Sequence, residues 1–312
     1  MIKRLQNKVA ESRMALPVTA CYALVVWFVS GVAAHDWWLQ LACFAVSSFL
    51  MVELNNVNAL IRIYSRMVSC SFLVLYCCAN MLFPSLHEAL MTTCMAAAYL
   101  VLFQSYQDKQ AAGITFYAFL LMSAASIAFV QVLFFLPLIW LLMATNLLSL
   151  SWRTWTASLL GLAVPYWFGA CWLLWTDDLA LLVDHFTVLG NLQFPADYDA
   201  LTLNQWLTFV FVSILAVIGT IHYIRKSYLD KIRIRMFFGT FIWMDLLSAI
   251  FLVAQPQYYD AMLSMMLVNT APLVGHFLAL TSTRITNAAS IAIVAAALLL
   301  TAFNLWSTSL PF

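Results

Sequence analysis

A chain of 312 residues that is 65% hydrophobic and 9% charged, with mean hydropathy +0.93, falls outside the range of water-soluble domains, in which about 25% of residues are charged. Apolar runs matched to a hydrocarbon core about 30 Å thick recur along its length. A net charge of +1 gives no reason to expect a nucleic-acid partner, and the partner that the composition does demand is the lipid bilayer.

The predicted fold is all-α: a polytopic transmembrane helical bundle forming a single integral-membrane domain over residues 1–312. Residues 1–15 are a basic cytoplasmic lead in which Leu5, Val9 and Met14 alternate with charges, as in a short interfacial helix. The lead and the apolar run ending at Val32, Ala33 and Ala34 have the layout of a signal peptide. The run exceeds an h-region of about 7–15 residues, however, and a second run follows at once, so no cleavage is expected.

The first span covers about residues 16–34, and His35, Asp36, Trp37 and Trp38 make a tight outer turn with its tryptophans at headgroup level. Span two ends near residue 54, and a polar elbow at 53–66 leads to span three, about 67–83. His87 and Glu88 lie in the next outer turn, before span four at about 89–104. Residues 111–151 are long for one span and short for two. A hairpin turning near Phe129 and Gln131 keeps Lys109 and Arg153 on one side, whereas a single tilted helix forces the later basic loop outside, so the hairpin is expected.

Span seven, about 154–175, precedes an acidic outer segment at 176–204 that contains Asp177, Asp178, Asp184, Asp197 and Asp199 and no Lys or Arg. Its stretch from Leu179 to Leu189 is amphipathic enough to lie on the membrane surface before Gly190 and Pro195 break it. Spans eight and nine, about 205–224 and 236–254, flank the cytoplasmic basic loop 225–235, which holds five of the fourteen Lys and Arg residues. Span ten, about 261–280, is kinked at Pro272, and a last span leaves residues 305–312 outside. The sum is about eleven spans, N-terminus cytoplasmic and C-terminus outside, with all fourteen basic residues on the cytoplasmic side.

Asp245 is the one carboxylate expected deep in the bilayer, which makes it a functional candidate. Counting along antiparallel spans nine and ten puts His276 near the same depth, so Asp245 and His276 are expected to pair, as an interhelical clasp or as a proton relay. The outer face offers His35, Asp36, His87, Glu88, Asp184 and His185. Neither the seven cysteines nor the five histidines show ligand spacing, so no metal and no cofactor is expected. Gln131, Asn146 and Asn269 read as interhelical hydrogen-bonding residues. No glycine-rich phosphate loop, G-x-S-x-G elbow or H-E-x-x-H helix is present, which argues against a nucleotide-driven pump and a soluble-type hydrolase.

The block from Phe116 to Leu121, Phe134 to Pro137, Arg153 to Trp155 and Gly161 to Phe168, with Asn269 to Phe277, resembles a family of multi-pass inner-membrane proteins of Gram-negative bacteria that carries only an unknown-function label. That resemblance implies a bacterial inner-membrane location. The arrangement is also similar to GT-C-type lipid-linked sugar transferases, which implies Asp36 as a catalytic acid or base. Three functions follow as expectations. The first is a non-catalytic component of cell-envelope assembly or secretion with a membrane-protein partner. The second is a GT-C-like glycosyltransferase using a polyprenyl-linked sugar as its lipid-linked substrate, and the third is a proton-coupled transporter using Asp245 and His276.

Overall fold

Backbone groups immersed in hydrocarbon must find their partners within their own segment, which favours helices. The computed structural model describes residues 4–193, 196, 198–199 and 201–309, and among these every regular element is helical. Pro195 and Asp197 lie outside the described residues. The α-helices in chain order are α1 (Leu5–Ala10), α2 (Ala15–Val29), α3 (Trp38–Asn58), α4 (Met67–Cys78), α5 (Leu86–Leu102), α6 (Ala112–Ala128) and α7 (Leu136–Thr145). They continue with α8 (Trp152–Trp175), α9 (Ala180–Thr187), α10 (Leu203–Lys226), α11 (Ile232–Ala254), α12 (Tyr259–Leu280) and α13 (Arg284–Ser309).

Seven of these helices, α3, α5, α8, α10, α11, α12 and α13, are long and apolar enough to cross a membrane. The other four expected spans coincide with the shorter helices α2, α4, α6 and α7. Local chemistry stops them early. α2 ends before Gly31, whose φ of +90° breaks the helix. α6 ends where Phe129 turns extended at φ −150°. At 15 and 17 residues these two helices reach about 22–26 Å, short of the hydrocarbon thickness.

The expected hairpin forms. The Gln107 amide donates to the Leu147 carbonyl at 2.8 Å, and the Ser151 hydroxyl donates to the Lys109 carbonyl at 2.7 Å, closing the two ends. Phe119 and Trp140 stack between its arms. Ser151 then caps α8 in a reciprocal pair with Thr154, and Thr202 with Gln205 does the same for α10.

The fold is organised around α12. In its apolar stretch 89% of residues are buried, against 11% for the peripheral α8. α4, α5, α10 and α11 surround it, α13 leans on α4 and α10, and the α6–α7 hairpin fills the space between α5 and α8. Two glycines allow the closest approaches. A Cβ on Gly219 of α10 would stand 2.9 Å from the Leu273 backbone, and one on Gly275 of α12 would stand 2.8 Å from the Val68 amide. Small residues at such crossings let helices associate where lipid removes the hydrophobic driving force.

Basic segments gather at one end of this bundle. Arg4 reaches the Ser282 carbonyl, Asn7 binds Thr281, Arg233 donates to Asn58 at 3.3 Å, and Arg62 approaches Asp230 at 3.8 Å. At the opposite end the segment after α9 crosses the start of α12. Gln193 and Gln255 exchange hydrogen bonds of 2.9 and 3.2 Å, and the Asn191 carbonyl accepts from Gln257 and Tyr258.

Candidate functional site

Asp245 and His276 do not pair. The Thr270 hydroxyl donates to Asp245 Oδ1 at 3.1 Å, whereas His276 Nε2 meets Asp230 Oδ2 at 3.0 Å. Thr270 and His276 are six residues apart on one helix, about 9 Å along its axis. The physical reason is the start of α11: helix begins at Ile232, within the basic loop, so Asp245 lies further from the loop than an apolar run starting at Met236 implies.

Ionisable groups therefore occupy three levels along the buried central helix. At the acidic end, Glu88 in the first turn of α5 and Asp260 in the first turn of α12 border a polar cavity of about 250 Å³. Gln205, Gln257, Tyr258 and Tyr259 complete its polar lining, and the Tyr259 hydroxyl donates to the Gln205 carbonyl at 2.6 Å. Glu88 Oε2 is buried there with no hydrogen-bond partner.

The middle level is Asp245, which is 5% exposed. Tyr99 of α5 has its hydroxyl beside Asn269 and within electrostatic reach of Asp245, yet that hydroxyl and Asn269 Oδ1 both lack a hydrogen-bond partner. Asn269 spends its amide on the Met265 carbonyl of its own helix, so the expected interhelical bond is absent, while Asn146 does reach across to the Met236 carbonyl at 3.2 Å. Gln131 is buried in the turn of the hairpin.

At the basic end, Asp230, His276 and His222 cluster under Arg62. The His276 side chain is fully buried and that of Asp230 is 1% exposed, while the Arg62 side chain is 36% exposed. The His222 ring centroid lies 5.5 Å from that of His276, and Tyr223 and Phe238 pack edge-on against the same imidazole. His276 Nδ1, His222 Nε2, Asp230 Oδ1 and the Tyr223 hydroxyl have no hydrogen-bond partner, in contrast to the usual pairing of buried polar atoms.

The outer-face candidates divide. His35 stacks on Trp37 at 4.8 Å and is exposed, as is Asp36, which sits at φ +57° in the turn before α3. His87 is exposed, and of that pair only Glu88 reaches the cavity. Asp184 is exposed on α9. His185 lies 3.3 Å from the Tyr166 hydroxyl, which meets Ser126 at 2.7 Å, and partial burial pushes the His185 imidazole below its ordinary titration range. Among the described residues no group of three or more His, Cys, Asp or Glu is placed to hold a metal ion.

Asp230, Arg62, Asp260 and Gln205 are the site residues that sequence reasoning passed over. The signal for Asp230 was its place as the one acid among the five basic residues of 225–235. No family model, curated protein or solved structure matches the chain, so these roles rest on geometry alone.

Proposed function

We propose that the protein is a proton-coupled membrane carrier in which Asp245 is the central protonation site. The observation that carries this reading is the stack of carboxylates at three levels of one buried helix: Glu88 and Asp260, then Asp245, then Asp230 with His276. Ionisable groups inside a membrane domain are costly to keep and mark proton or substrate pathways. A purely structural role accounts for the Asp230–His276 contact but not for the buried Glu88 carboxylate oxygen that has no hydrogen-bond partner. For a transferase, the polar cavity is bounded by Glu88 and Asp260, while Asp36 stands exposed in its turn and is not part of that lining.

In this reading the bundle crosses a bacterial inner membrane about eleven times, with the basic end cytoplasmic. Protons enter at Glu88 and Asp260, pause at Asp245 and leave through His276, Asp230 and His222. The test is proton flux in reconstituted vesicles holding an imposed pH gradient, read with an internal pH dye while a panel of cationic, anionic and neutral solutes is added outside. Flux above that of protein-free vesicles, abolished by Asp245→Asn, is the expected result; equal flux with and without protein contradicts the reading.

A further inference from the structure

Asp245 also lines a cavity at the side of the bundle. α10 and α11 are consecutive in the chain, but each packs chiefly on α12, and their meeting beside the joining loop is the Tyr223–Phe238 ring stack at 4.7 Å. Between them lies a cavity of about 270 Å³ with Ser213 and Thr220 on one wall, Asp245 and Ala249 on the other, and Met266 of α12 behind. Val217, Ile221 and Leu246 also line it, and all three are exposed on the helix surfaces that face lipid.

The cavity's chemistry is one-sided. Its walls are apolar apart from Asp245 and the hydroxyls of Ser213 and Thr220, and no Lys, Arg or His lines it. Thr270 donates to Asp245 Oδ1, and Oδ2 accepts no hydrogen bond from the described residues of the protein. The polar groups nearest the carboxylate are Thr270 from α12 and Tyr99 from α5, with Ser213 and Thr220 of α10 lining the same cavity, and none of these carries a positive charge. An ionised Asp245 therefore lacks a counter-ion from the protein, and a charge without one is unfavourable in this surrounding.

We infer that the cavity between α10 and α11 binds a small lipophilic monocation, entering from the bilayer, in exchange for the proton on Asp245. The site is electroneutral in both states. A protonated carboxyl releases one proton as the cation arrives, and the carboxylate becomes the cation's partner. Apolar walls take the ligand's hydrocarbon, and the single carboxylate selects charge +1. At about 270 Å³ the volume falls just below the range of ligand pockets, about 300–1,000 Å³, and so favours a compact alkyl- or arylammonium.

The inference rests on the proton-coupled reading, and a binding experiment separates the two. Benzyltriethylammonium is a suitable probe because it carries no titratable proton of its own. Its binding to the purified full chain in lipid nanodiscs is measured by equilibrium dialysis, and proton release by calorimetry in two buffers of different ionisation enthalpy. The expected result is one cation bound and one proton released per chain. Affinity should fall about tenfold or more in Asp245→Asn and in the cavity-filling Ala249→Phe, with thermal unfolding showing both variants folded. Three results overturn the inference: binding without proton release, equal binding by Asp245→Asn, or no binding at millimolar probe. If these occur while vesicle proton flux persists, the proton-coupled reading survives and the cation site does not.

Discussion

His276 Nε2 and Asp230 Oδ2 stand 3.0 Å apart, in a pair whose side chains are almost wholly removed from solvent. The contact ties the loop between α10 and α11 to the central helix. Removing one partner of such a pair leaves the other desolvated and costs about 3–5 kcal/mol. Asp230→Ala and His276→Ala should each lower unfolding stability by that order, and the double variant by clearly less than their sum. Additive losses in a double-mutant cycle would show that the two side chains act independently.

The glycine crossings predict a contrast. Gly219→Ala and Gly275→Ala place a Cβ under 3 Å from neighbouring backbone and should destabilise by about 1–3 kcal/mol. Gly169→Ala meets nothing within 4 Å in mid-helix and should be neutral or stabilising by about 0.5–1 kcal/mol. Thermal unfolding in detergent ranks the three, and equal shifts would contradict the close helix approach.

The hairpin of α6 and α7 returns the chain to the end it left, since Gln107 bonds to Leu147 and Lys109 to Ser151. Single cysteines at Lys109 and Arg153 in a cysteine-free background should react with a membrane-impermeant maleimide from the same side. Labelling from opposite sides would mean that the segment crosses once.

His185 should titrate below the ordinary value of 6.5, because burial against Tyr166 disfavours its charged form. The sign follows from linkage. The seating of α9 is fully favoured above the unfolded value and weakens as pH falls toward the depressed folded one. Histidine NMR signals followed through a pH titration check this, and a midpoint above 6.5 would contradict it.

Much of the architecture was legible from apolar run length and charge placement. The break at Phe129, the surface helix α9 and the gathering of Arg4, Arg62 and Arg233 at one end all follow from patterns visible in one dimension. The site was less legible, because partners across a bundle depend on helix starts that hydropathy blurs. α11 begins inside the basic loop, and that shift moved His276 from Asp245 to Asp230. Asp230 was hidden by its neighbours, since an acid among arginines and lysines reads as solvated. Asp260 emerged only when Gln205 and the 191–193 segment folded over the start of α12.

The central claim is that Asp245 takes up and releases a proton inside the bundle, and infrared difference spectroscopy observes that event directly. Wild-type protein and Asp245→Asn are titrated in lipid across the accessible pH range, and the carboxylic-acid carbonyl region is compared. The account predicts a band from protonated Asp245 that appears as pH falls and is missing in the variant. Identical spectra for the two proteins at every pH would contradict it.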